Sequence, residues 1–110
     1  MIYKKGDIVI VDFPFSNLTA TKRRPALVLS KPHGQNIILS QISSKNKKPD
    51  KLKVFIDDTN TIGNLKFASC INVNMIFTIH NSLIYGKIAR IDIYVENEID
   101  IKLKKIFEIF

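Results

Sequence analysis

The sequence predicts a mainly β fold with one helix, a small, strongly bent antiparallel sheet or barrel closed by a C-terminal helix. Short runs of β-branched and aromatic residues alternate with turn residues along most of the chain, and the apolar spacing becomes helical near the end. At 110 residues, the chain has the size of one domain. We therefore expect a single domain over residues 1–110.

Six short segments rich in β-branched residues are predicted as strands. In the fifth, strict alternation places Cys70 and the asparagines on one face and Met75 on the other, apolar face. In the last, Gly86 marks a bulge or bend. The six segments are residues 7–13, 26–30, 37–43, 54–56, 69–76 and 84–93, and the intervening residues 16–23 and 57–64 are predicted as loops.

The C-terminal segment has the spacing of an amphipathic helix. Its apolar residues recur at i, i+4, i+7, i+8 and i+11, a stripe formed by Ile99, Leu103, Ile106, Phe107 and Phe110. Asn97 is the predicted N-cap, and acidic residues follow it in the first turn. We expect this helix to cover the core.

Composition and charge exclude several classes of protein. No apolar run approaches the ~20 residues that span a bilayer, and residues 1–7 lack the apolar core of a secretion signal. The single cysteine, Cys70, excludes an intramolecular disulfide. The formal charge of +7 attracts phosphate backbones or acidic proteins, although a sequence rich in Lys, Ile and Asn can also owe its charge to composition. We expect a cytosolic, basic domain that does not bind membranes.

The three arginines include one adjacent pair, Arg23 and Arg24, directly before Pro25. A guanidinium can hold a phosphate through two parallel hydrogen bonds, which an ammonium group cannot do. Pro25 favours an extended backbone at Arg24, which would present this side chain from the base of a strand. The pair indicates a phosphate contact, or otherwise two solvated side chains on a loop.

Other candidate chemistry is weaker. His33 and His80 could form the acid and base of a ribonuclease, but both lie beside turn residues, where histidine is usually only exposed. The acidic pair Asp57-Asp58 has no third carboxylate at a ligand spacing, so we expect no metal site and no cofactor. Cys70 is predicted as a small buried residue between strands.

Taken in order along the chain, these segments resemble the PemK/MazF family of toxin endoribonucleases. Residues 5–9 (KGDIV) are similar to the opening strand of the family, and residues 12–16 (DFPFS) to the segment before its variable loop. Residues 22–30 (KRRPALVLS) are close to its most specific signature. The match continues through residues 40–44 (SQISS) and 69–79 to the final helix.

The resemblance implies an SH3-like barrel that forms a homodimer and cuts single-stranded RNA at short motifs without a metal, as an mRNA interferase. It also implies an acidic antitoxin as the partner. By position, Arg24 corresponds to the catalytic arginine of the family and Ser43 to its catalytic threonine. The expected RNA contacts come from six further residues, Ser16, Lys22, Arg23, Gln41, Lys45 and Lys47.

Three departures from the family pattern keep two alternatives open. Ser43 keeps the hydroxyl of threonine but loses the methyl group that restricts its rotamers. Met75 and Phe77 stand where the family often has Gln and Arg. The alternatives are a CcdB-like toxin that binds DNA gyrase and cleaves nothing, and an inactive relative.

Overall fold

The computed structural model describes residues 2–14, 21–44, 48 and 50–109. In this part of the chain, all strand pairs are antiparallel and form one seven-stranded sheet in the order β4-β6-β3-β2-β1-β7-β5. A short 3-10 turn, Asn81–Leu83, joins β6 to β7. The elements are β1 (Asp7–Pro14), β2 (Thr21–Ser30), β3 (Asn36–Ser44), β4 (Lys53–Ile56), β5 (Thr61–Gly63), β6 (Ser69–His80), β7 (Ile84–Ile91) and α1 (Ile93–Ile106).

The sheet is strongly curled. Strands β4 and β7 lie five positions apart in the sheet, which in a flat sheet would separate them by about 24 Å. Nevertheless Val54 of β4 and Ile91 of β7 belong to the same buried cluster, together with Ile99 of α1. The sheet therefore bends around this cluster, and the predicted mainly β fold with a covering C-terminal helix is confirmed.

Both faces of the central strands are buried. Ile8 and Leu27 face the cluster beneath α1, whereas their neighbours Val9 and Ala26 belong to a second cluster on the other face. Because alternate residues of a strand point to opposite faces, a strand buried on both sides has an unbroken apolar sequence. This explains the continuous apolar runs in β1 and β2.

Helix α1 begins earlier than the sequence predicted. Its N-cap is Asp92, whose side chain accepts a hydrogen bond from the Val95 N–H at 2.9 Å, and not Asn97. The predicted last strand therefore ends at Ile91. The stripe that packs on the core consists of Val95, Ile99, Leu103 and Ile106, whereas Phe107 is the C-cap and is 58% exposed; Phe110 lies outside the described residues.

No helix of the described chain is long and apolar enough to cross a membrane.

Three further predictions need correction. The predicted loop at 57–64 contains β5, which pairs with β7, and the described end of the predicted loop at 16–23 belongs to β2. Strand β6 continues to His80. Its alternation breaks because two adjacent residues of β3 are opposite residues of β6 that are not adjacent: Gln41 is opposite Asn72, and Ser40 is opposite Ile76. Residues 73–75 are therefore extra residues on the β6 side of this pairing. Met75 is 53% exposed and does not lie in the predicted apolar face.

The predicted bend at Gly86 coincides with a similar irregularity. Ile10 is opposite Gly86 but Val11 is opposite Ile84, so the ladder between β1 and β7 skips Tyr85. Such bulges increase local twist and bend the strand, which suits a sheet that curls this strongly.

The start of β1 is anchored by a buried carboxylate. Gly6 has a φ of +94°, which suits the third position of the turn closed by the Asp7 N–H and the Lys4 carbonyl. The Asp7 side chain is 3% exposed and contacts Lys87 and Arg90, each at 3.1 Å. Burial raises the pKa of Asp7, but the Lys4 N–H, Lys87 and Arg90 together outweigh it, so its pKa lies below the ordinary value.

We predict that Asp7→Asn lowers the free energy of unfolding by about 1–3 kcal/mol near pH 7, since two cations lose a buried partner. The folded-state pKa of Asp7 is depressed, so its ionised form stabilises the fold above about pH 4, and this contribution disappears as the pH falls through the depressed pKa. Urea unfolding of both proteins between pH 3 and about 7 measures the difference, which should shrink at the acidic end.

Asp100→Asn is the matched control. The Asp100 carboxylate forms a 2.8 Å ion pair with Lys5, but both side chains are more than a third exposed, and such surface pairs contribute about 0–1 kcal/mol. Equal losses in the two variants would contradict the anchoring role of Asp7.

Candidate functional site

Polar side chains occupy one end of one sheet face, across four neighbouring strands. In the first cross-strand row, Ala26 of β2 is opposite Gln41 of β3, Gln41 is opposite Asn72 of β6, and Asn72 is opposite Lys53 of β4. In the second row, Ser43 is opposite Cys70 and Cys70 is opposite Phe55. Residues directly opposite each other share a face. We call this surface the site face; its polar members are Lys22, Arg24, Gln41, Ser43, Lys53 and Asn72.

Arg24 and Ser43 both belong to the site face. The ladder between β2 and β3 ends where Ala26 is opposite Gln41. Arg24 lies two residues before Ala26 on β2 and Ser43 two residues after Gln41 on β3, so alternation puts both on the face that Ala26 and Gln41 share. Both residues are half-buried. The two residues that the resemblance identifies as catalytic therefore lie on one face of the sheet, beyond the last paired residues of β2 and β3.

Asn72 contacts Ser43 directly and was not identified from the sequence. Its Nδ2 atom donates a hydrogen bond to Ser43 Oγ at 3.1 Å, diagonally across the two rows. The Cys70 thiol lies 3.8 Å from Asn72 Oδ1. Cys70 is fully buried, as predicted, and burial raises the pKa of its thiol. An asparagine in an alternating strand gave no signal of this contact, because its partner is distant in the sequence.

The two adjacent arginines lie on opposite faces of the sheet. The Arg23 guanidinium stacks on the Tyr85 ring, 3.7 Å from its centroid, and the Tyr85 hydroxyl donates to Asp12 at 2.7 Å. Alternation along β2 puts Arg24 on the other side. Arg23 and Arg24 therefore do not hold the same phosphate, and any RNA contact of Arg23 lies on another surface.

The remaining predicted RNA contacts divide into two groups. Lys22 is exposed and shares the site face with Arg24, two residues away on β2. Gln41 lines two adjoining clefts of about 350 and 180 Å³, and the larger is also lined by Asn72 and Lys53. Three predicted residues, Ser16, Lys45 and Lys47, lie outside the described residues.

The weaker candidates have local structural roles. His80 Nδ1 is 2.8 Å from the Ser82 hydroxyl and caps the 3-10 turn, while His33 is exposed in the turn between β2 and β3. Asp57 Oδ1 accepts a hydrogen bond from the Thr59 N–H at 2.8 Å. Neither histidine lies in the two rows of the site face, so the structure does not place a histidine pair beside Arg24.

The site face combines hydrogen-bond donors and positive charge beside two clefts. Arg24 provides a fixed cation with a planar set of donors, Ser43 a hydroxyl, and Lys22 and Lys53 mobile cations. Arg24 and Ser43 are the two residues expected to act on a phosphate. This arrangement suits the binding of a phosphodiester and the stabilisation of extra negative charge on it.

Comparison with known proteins gives the same family as the sequence motifs. A family model described as PemK-like, MazF-like toxin of type II toxin-antitoxin system matches residues 4–107. No curated protein matches the sequence.

Solved structures share the fold over nearly the whole chain. MazF in the MazE-MazF complex of Deinococcus radiodurans (Form-III) has a TM-score of 0.81 at 19% identity and covers 100% of both chains. The Mycobacterium tuberculosis toxin MazF-mt6 has a TM-score of 0.74 at 20% identity, covering 94% of this chain and 98% of its own. An endoribonuclease in complex with its cognate antitoxin from a Mycobacterial species has a TM-score of 0.79 at 12% identity, covering 99% of this chain and 98% of its own. With a family model that spans almost all of its length, the chain belongs to the PemK-like, MazF-like toxins of type II toxin–antitoxin systems.

Proposed function

We propose that this toxin is a metal-independent endoribonuclease that cleaves single-stranded RNA at short sequence motifs. One observation carries the proposal: Arg24 of β2 and Ser43 of β3 are both half-buried and lie on the same polar face of the sheet. Membership of the toxin family supports it, as does the likeness in fold to a protein described as an endoribonuclease.

The reaction that fits these groups uses the neighbouring 2′-hydroxyl of RNA as the nucleophile. The 2′-oxygen bonds to phosphorus and loses its proton, while the bond from phosphorus to the 5′-oxygen breaks and that oxygen gains a proton. The products are a 2′,3′-cyclic phosphate and a 5′-hydroxyl end. Between substrate and products, the reaction passes through a phosphorane that carries extra negative charge. Stabilising this phosphorane is the main task that the protein must perform.

Arg24 carries out that stabilisation. Its guanidinium donates hydrogen bonds to the phosphorane oxygens and to the departing 5′-oxygen, and it does so as a permanent cation. Arginine stays protonated in proteins, which makes it unsuitable as the base that accepts the 2′ proton. We therefore assign Arg24 to charge stabilisation.

Ser43 donates its hydroxyl proton to a non-bridging phosphate oxygen. It lies on β3, on the same face of the sheet as Arg24 of β2. The hydroxyl is the only polar group that the Ser43 side chain can offer, and one such donor is worth about 10²–10³ in rate.

The partners follow from charge and family. An acidic antitoxin complements a chain with a formal charge of +7, and two of the similar structures are toxins described with an antitoxin or with MazE. We further propose a homodimer that acts in the cytoplasm, where messenger RNA is available as a substrate.

The test is to incubate the purified protein with single-stranded RNA in EDTA and to analyse the fragment ends. We expect fragments with 5′-hydroxyl and 2′,3′-cyclic phosphate ends. Intact RNA together with inhibited DNA gyrase would instead identify a gyrase-binding toxin, and intact RNA without gyrase inhibition would identify an inactive relative. Either result would overturn the proposal.

We predict that Arg24→Ala slows cleavage more than Ser43→Ala, since it removes a cation with several donors and not a single neutral donor. For Ser43→Ala we expect a loss of about 10²–10³ in single-turnover rate. Arg23→Ala is the matched control, because this adjacent arginine lies on the other face; its cleavage rate at saturating RNA should stay close to wild type. Near-wild-type cleavage by Arg24→Ala would contradict the assignment.

We predict that Lys22→Gln weakens RNA binding without changing the cleavage motif. The exposed Lys22 ammonium acts as a mobile charge beside a phosphate, so its loss should reduce the slope of log affinity against log salt by about 0.7. The slope is measured with an RNA that carries a 2′-deoxy nucleotide at the cleavage site. A changed motif in sequenced fragments would show that Lys22 reads a base.

A further inference from the structure

The hydrogen bond between Asn72 and Ser43 joins two strands at the centre of the site face. Asn72 Nδ2 donates to Ser43 Oγ at 3.1 Å, although the two residues are 29 positions apart in the sequence. Asn72 is half-buried and stands beside Gln41 in the first cross-strand row. The Asn72 side chain therefore helps to fix the position of the Ser43 hydroxyl oxygen.

This contact leaves the Ser43 proton available. A serine hydroxyl has one proton and two lone pairs, and the amide of Asn72 occupies a lone pair. The Ser43 proton is directed at the carbonyl of Ser44 at 3.5 Å, a distance at the limit of a hydrogen bond. A phosphate oxygen of a bound RNA, within normal hydrogen-bond distance of Ser43 Oγ, would be a far better acceptor.

The Asn72 amide also has a weak contact on its other side. Asn72 Oδ1 lies 3.8 Å from the Cys70 thiol, which is buried and donates weakly to it. Because burial raises the pKa of the Cys70 thiol, the thiol keeps its proton at neutral pH and remains a donor. The amide oxygen thus faces Cys70, and the amide nitrogen faces Ser43.

We infer that Asn72 is a positioning residue that holds the Ser43 hydroxyl in the rotamer in which it donates to the substrate phosphate. Serine lacks the β-methyl group that restricts the rotamers of threonine, so the hydrogen bond from Asn72 supplies the restriction that the side chain itself does not. This inference rests on the proposed function, and it adds a residue that neither the sequence motifs nor the family match assigns.

The experiment compares Asn72→Ala with the wild type in single-turnover cleavage and in binding of the 2′-deoxy RNA. Loss of one neutral hydrogen bond should lower the cleavage rate about five- to ten-fold, whereas the dissociation constant should change less than about two-fold because Asn72 acts through Ser43. Asn36→Ala, an exposed asparagine at the far end of β3, is the matched control and should cleave at the wild-type rate.

Two double variants separate positioning from a direct contact with RNA. In Ser43→Ala, the added change Asn72→Ala should cause no further loss, since the hydroxyl that it positions is absent. In Asn72→Ala, the added change Ser43→Thr should restore most of the rate, because the threonine methyl group restricts the rotamer again. Additive losses, no rescue, or weaker binding at an unchanged cleavage rate would overturn the inference.

A measurement without RNA tests the positioning role of Asn72 separately from the proposed endoribonuclease activity. The coupling constants between the α and β protons of Ser43 report its χ1 rotamer, and they should indicate one rotamer in the wild type and averaging in Asn72→Ala. Averaging in both proteins would overturn the positioning role even if the toxin cleaves RNA. If the wild type cleaves no RNA, the proposed function fails, while these couplings still decide whether Asn72 holds Ser43.

Discussion

The register between β2 and β3 is the constraint on which the candidate site depends. Pairing Ala26 with Gln41 puts Arg24, Gln41 and Ser43 on one face, and a slip of one residue would send each β2 side chain to the other side of the sheet. Arg23 would then stand where Arg24 is. Leu27 packs in one cluster and the smaller Ala26 in the other, so a slip would exchange side chains of different volume between two packed clusters, which is unfavourable. The two apolar clusters thus favour the register in which Arg24 faces the site.

Irregular pairing in β6 gives the same surface its shape. Strand β6 follows β3 at Asn72 and again at Ile76, and the residues between them are displaced from the ladder. Val73 remains fully buried and accepts a hydrogen bond from the Ser40 hydroxyl at 3.0 Å, so the displacement is held by the core. Asn74 and Met75 are consequently exposed and line both clefts beside Gln41. In a regular strand, Met75 would share the buried face of Val73 and would not line these clefts.

The sequence predicted what periodicity and local motifs determine, and it failed where distant residues decide. Six of the seven strands of the described sheet and the covering helix follow from alternation and apolar spacing, and the burial of Cys70 follows from the apolar character of a free cysteine. The start of α1 was misplaced because Asp92 and Asn97 are both good caps, and only the end of β7 selects Asp92. The contact of Asn72 with Ser43 and that of Arg23 with Tyr85 depend on register between strands far apart in sequence, which no local pattern encodes.

The same reasoning explains why two neighbouring arginines have different chemistry. In a strand, adjacent side chains face opposite sides, so an Arg-Arg pair presents one guanidinium to each face. Arg23 lies against the Tyr85 ring, whose hydroxyl is bonded to Asp12, and this chain of contacts links β2 to β7 and β1. Arg24 stands on the face where β3 and β6 contribute Ser43 and Asn72. Of the two arginines, Arg24 is therefore the one that shares a face with the Ser43 hydroxyl, which is why the proposed chemistry at a phosphate is assigned to it.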